Sequence, residues 1–145
     1  MGRLPLGAKL SLIFMMGFFL FLAGNSIVGY WNPSAEVRMN DRVGKDGSHI
    51  GEKFATGLLG NAIGIAGAWL GLRRRVALGF GLIGTCYTLE AVRREVFYVW
   101  EGGRLFDQGN LGPWIFLILG LPMFWIAYRD HRKREEALAA LEEVH

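Results

Sequence analysis

Glu90, Arg93, Arg94 and Glu95 cluster within a stretch of this 145-residue chain that is otherwise apolar. Positions three and four apart share a helix face, so Glu90 can reach both arginines and the group can neutralise part of its own charge. Charge at depth in a bilayer is costly and faces protein or water rather than hydrocarbon. One reading is structural: an ion pair whose arginines extend to the headgroups along their apolar stems. The other is functional: a site for an anionic lipid or substrate, or a gate on an ion path. Glu90 and Glu95 are also the only carboxylates placed to act as a base on a lipid. The residues leave both readings open.

Other site chemistry finds little footing. Cys86 is the single cysteine, which excludes an internal disulfide, a Cys-x-x-Cys redox pair and a thiolate zinc site. It reads as a small packing residue. The histidines, His49, His131 and His145, fall outside the apolar runs, so a bis-histidine haem site is not expected. No glycine loop ends in Lys-Ser or Lys-Thr to cradle a phosphate. The expectation is no catalytic residue, no metal, no cofactor and no nucleic-acid partner.

The elements that position the charged cluster follow from the solvent they imply. Hydrophobic residues make up 52% of the chain and come in long unbroken runs rather than in alternation. A helix needs roughly 20 apolar residues to cross a bilayer. Four spans are expected, at residues 10–30, 54–72, 76–100 and 111–128. The first has the basic start and small residues of a signal peptide but is read as a span. The third reaches full length only if it includes Glu90 to Glu95. The fold class is therefore all-α, a polytopic membrane protein made of a single four-helix transmembrane domain.

Basic residues set the orientation. The triplet Arg73, Arg74 and Arg75 reads as a tight cytoplasmic turn. With both termini inside, it is joined there by Arg3, Lys9, Arg129, Arg132, Lys133 and Arg134. Arg38, Arg42, Lys45, Lys53 and Arg104 then lie outside, the first four spread over a longer loop. Tyr30, Trp31, Tyr98, Trp100 and Trp114 would mark the outer interface, and Trp69, Trp125 and Tyr128 the inner one. This describes an integral protein of the bacterial inner membrane. Asn32-Pro33 and Asp46-Gly47 read as turns in the first outer loop, and Gly102-Gly103 and Gly109-Asn110 in the second. The tail, residues 129–145, carries Leu138, Leu141 and Val144 at helical spacing and continues the fourth helix into the cytoplasm.

Gly57, Gly60, Gly64, Gly67 and Gly71 recur at spacings of three and four, one stripe of the second helix. Gly79, Gly81 and Gly84 answer in the third. The stripe predicts close pairing of helices two and three; a groove for a quinone, pigment or lipid tail is the alternative. Asn25 and Asn61 are polar groups at depth, expected to bridge helices. Pro122 predicts a kink in the fourth helix.

The glycine-rich second helix, basic turn and apolar third helix resemble small four-helix membrane proteins of the DoxX type, some of which accompany oxidoreductases. The resemblance carries no residue roles. The function expected is a non-catalytic subunit of a larger membrane complex (respiratory, photosynthetic or transport) in contact with lipid and partner helices. The alternatives are a homo-oligomeric channel or transporter with Glu90, Arg93 and Arg94 on its path, and a lipid-modifying enzyme.

Overall fold

The structure is a computed structural model and describes residues 4–31, 50–100 and 102–142. The turn formers Asn32-Pro33 and Asp46-Gly47, the basic residues Arg3, Arg38, Arg42 and Lys45, and His49, Val144 and His145 lie outside the described residues. Four helices account for nearly all of the rest: α1 (Leu6–Trp31), α2 (Ile50–Leu72), α3 (Val76–Trp100) and α4 (Leu111–Glu142). Three of them are long and apolar enough to cross a membrane: α1, α2 over Gly51–Leu72, and α4. In α3 the apolar run is broken by Glu90, Arg93, Arg94 and Glu95. Helix α4 continues without a break through Pro122 and on into the charged tail. The tail is held as helix by ion pairs one turn apart, Arg134–Asp130 at 3.0 Å and Arg132–Glu136 at 2.9 Å.

The helices pack in chain order, α1 on α2, α2 on α3 and α3 on α4. Glycines set each approach. A Cβ added at Gly71 or Gly64 would fall 2.9 Å from Leu12 or 2.7 Å from Phe19, and one at Gly57 would meet Ser26 Oγ at 3.4 Å. These three contacts repeat every seven residues along two antiparallel helices, the spacing at which side chains of one helix seat repeatedly in the hollows of another. Most of the glycine stripe thus faces α1, and its turn end meets α3 as well. Gly67 and Gly71 approach Gly79 backbone to backbone: a Cβ at Gly79 would lie 2.7 Å from the Gly67 carbonyl oxygen and 2.5 Å from the Gly71 nitrogen. Gly60 differs again, with nothing within 4 Å of its Cβ position. Its carbonyl accepts the Cys86 thiol at 3.0 Å, which places Cys86 as a packing residue between α2 and α3. Between α3 and α4, Gly84 sits under the Phe124 ring and Gly120 approaches the Gly84 carbonyl oxygen.

The core is small and aromatic. Leu12, Phe19 and Ile83 are fully buried, with Ala68, Phe80, Cys86 and Tyr87 around them. Tyr87 joins three helices: its ring lies 5.6 Å from that of Phe19 on α1 and 6.1 Å from that of Phe116 on α4. Asn25 and Asn61 are half-buried, and neither side chain makes a hydrogen bond among the described residues.

Two ends result. At the turn end, Arg74 adopts a positive φ of 67° to reverse the chain, and Arg73 stacks on Trp69 at 4.7 Å. Helix α3 starts straight after the arginines, with no Ser, Thr, Asp or Asn to cap it. Asp130 of α4 supplies the missing acceptor, taking the Ala77 N–H at 3.2 Å. Arg134 pairs with Asp130 and donates to the Arg74 carbonyl at 3.0 Å. The extension of α4 therefore clamps the α2–α3 turn. The opposite end holds the α3–α4 loop.

Candidate functional site

The charged residues of α3 lie near the loop end and divide between two faces. On one face the Glu90 carboxylate takes both arginines. Arg93 makes a bidentate pair, its Nε at 2.7 Å from Oε2 and an Nη at 2.6 Å from Oε1; Arg94 adds its Nε to the same Oε1 at 2.7 Å. Helical spacing of three and four makes this geometry local, and the neighbouring helices complete it. Arg93 lies by Gly57 of α2 and over the Phe97 ring, and Arg94 rests on Phe116 of α4 at 4.7 Å. Burial is graded: the side chain of Glu90 is 16% exposed, that of Arg93 22% and that of Arg94 46%. Arg93 is thus the enclosed partner and Arg94 the open one.

Glu95 does not join this cluster. It is the buried charged residue of the described chain, and it turns away from Glu90 to hold the α3–α4 loop. One of its oxygens accepts the Phe106 N–H and the other accepts Asn110 Nδ2 at 3.2 Å. The loop is fixed a second time by Asp107, which receives the Tyr98 hydroxyl at 2.6 Å and the Gly109 N–H at 3.0 Å. The Tyr98 hydroxyl, more than the Gly109 N–H, holds the Asp107 carboxyl below the usual aspartate range. Phe106 takes a positive φ of 58° in this loop, and its ring meets Trp114. Between α3, the loop and α4, on the same side as Glu95, lies an open apolar cavity of about 490 Å³, lined by Val96, Trp100, Leu105, Phe106, Trp114 and Leu117 among others.

Sequence reasoning had no view of Asp107, Asp130 or Arg134 as structural anchors. Asp107 was findable, since Asp-x-Gly is a local turn that accepts its own backbone N–H. So was the need for a distant cap, from the missing cap residue before Val76. Among the described residues, no group of three or more His, Cys, Asp or Glu could hold a metal ion.

Compared with protein-family models, curated proteins and solved structures, the chain matches nothing.

Proposed function

We propose that this chain is a four-span membrane protein with both termini in the cytoplasm, working as a non-catalytic subunit that packs against a partner helix. One observation carries the reading. Helix α1 packs Leu12, Phe19 and the half-buried Ser26 against α2, while its opposite side presents Leu10, Phe14, Gly17, Phe21, Gly24, Val28 and Trp31. These residues alternate at spacings of four and three, the pattern of a helix–helix seam. Phe14 and Phe21 are 75% and 62% exposed, and nothing lies within 4 Å of a Cβ at Gly17 or Gly24. Large side chains and bare glycines seven residues apart repeat the arrangement that seats Phe19 against Gly64 inside the chain. Lipid needs only apolarity from such a face, whereas glycine costs a helix about 1 kcal/mol relative to alanine. Close approach of another helix is what glycine supplies in return.

The orientation is argued from charge. The turn end carries Arg73, Arg74, Arg75, Arg129, Arg132, Lys133 and Arg134, the densest basic patch, and such patches stay in the cytoplasm. Helix α3 crosses because it is antiparallel to α2 and α4, its charges meeting partner helices or the headgroup level. A bacterial inner membrane fits this arrangement.

Purification in mild detergent tests the reading. Expected are other chains in fixed ratio, lost when Gly17 and Gly24 are both changed to Leu while the chain itself stays folded. A single species made only of this chain would favour the homo-oligomeric channel or transporter instead. A lone monomer indifferent to the two substitutions would contradict the proposal.

A further inference from the structure

We propose that the Arg94 guanidinium, beside the first turn of α4, binds the phosphate of a phospholipid headgroup. One carboxylate, Glu90, faces two guanidiniums, so the triad keeps one positive charge in excess. Arg93 has two of its donor nitrogens on Glu90 and is enclosed. Arg94 commits only Nε; its two Nη groups donate to nothing among the described residues, and its side chain is nearly half exposed. Pinned through Nε and resting on the Phe116 ring, the guanidinium presents those two groups as an oriented fork. A fork of this kind matches two oxygens of a phosphate.

The surroundings select an anion. Arg94 lies against Gly112, where a Cβ would stand 3.6 Å from Nη1 and 3.7 Å from Asn110 Oδ1, so the guanidinium reaches the start of α4 beside the Asn110 side chain. The Leu111 and Gly112 amides at that start lack intrahelical acceptors and carry partial positive charge, while Pro113 has no N–H. A cation set beside a positive helix end is unfavourable, and an anion in contact with both relieves it. Trp100 and Trp114, within one or two turns of Arg94, place the fork at the level where indoles and lipid phosphates meet. A free phosphate shares the same chemistry. The depth of the site favours the lipid, whose acyl chains have apolar helix faces beside them.

This inference rests on the helices crossing the bilayer, and its test separates the two. The full chain is first challenged with alkaline carbonate on isolated membranes: release would overturn the spanning reading and this one with it. The purified chain in detergent is then titrated with phosphatidylglycerol, with diacylglycerol as a phosphate-free control and with inorganic phosphate, scoring bound lipid by native mass spectrometry and thermal stability. Phosphatidylglycerol should bind as a discrete adduct and raise the unfolding temperature, and diacylglycerol should do neither. Arg94→Gln, which leaves the Glu90–Arg93 pair in place, should weaken binding about tenfold, the worth of one or two charged hydrogen bonds. Arg94→Lys should restore part of it, and Arg132→Gln at the opposite end should change nothing. Equal binding by wild type and Arg94→Gln would overturn the site. A shift produced by inorganic phosphate alone would overturn its assignment to lipid.

Discussion

At the scale of the residue, the Glu90 carboxylate is the centre of gravity of the charged site. Its two oxygens receive three charge-assisted hydrogen bonds, two of them from the better enclosed Arg93. Removing one member of an enclosed pair strands the other, which costs more than losing both. Glu90→Gln and Arg93→Gln should each destabilise the chain by about 1–3 kcal/mol. The double change should recover part of that loss, whereas a cycle through the exposed Arg94 should show weaker coupling. Unfolding in detergent measures both cycles; additive effects at Arg93 would contradict the paired geometry. Asp107 makes a separate residue-scale claim. Its carboxyl is held below the usual range, so its contribution to loop order is full above the ordinary aspartate value, about 3.9. It is lost as pH falls through the lower folded value. A carbon NMR titration should find the Asp107 midpoint depressed, and Tyr98→Phe should move it up; an unmoved midpoint would remove the hydroxyl as the cause.

At the scale of the element, the glycines of α2 serve different neighbours. Gly64 is filled by the Phe19 ring, whereas Gly60 has open space at its Cβ position. Gly64→Leu should therefore lower the melting temperature of the purified chain by several degrees, because neither helix can yield without losing the next contact seven residues on. Gly60→Ala should be neutral or stabilising, by up to about 1 kcal/mol of helix propensity. Equal responses at the two sites would mean that the stripe does not seat α1. The contrast also shows what the sequence could and could not carry. Helices and their approximate ends were legible, since long apolar runs and a basic turn are one-dimensional signals imposed by the solvent. The partner of each glycine was not. A stripe marks a face, and both α1 and α3 were available to cover it. Glu95 escaped for the same reason: its adjacency to Arg94 placed it in the cluster, but its burial depends on Phe106 and Asn110 of a loop that folds back on it. The Asp130 cap depends on a contact 53 positions away.

At the scale of the whole molecule, the four helices form an open array in chain order, with the most buried helix also the one that carries the Glu90–Arg93–Arg94 cluster. Position explains this. Helix α3 lies between α2 and α4, so its polar residues meet protein on two sides, while α1 and α4 give their apolar sides to the surroundings. The basic clamp of Arg74, Asp130 and Arg134 closes one end, and the Glu95 and Asp107 anchors close the other. In the proposed topology α3 crosses the bilayer between these ends, with the clamp in the cytoplasm. The direct measurement is thiol labelling in intact cells, in a Cys86→Ser background, with single cysteines at Gln108 in the α3–α4 loop, Arg74 in the basic turn and Glu136 in the α4 extension. An impermeant reagent should label the Gln108 position in intact cells, and the other two only after the membrane is opened. Labelling of Gln108 and Arg74 from the same side would show that α3 does not cross, and exclusive labelling of Arg74 and Glu136 from outside would invert the topology.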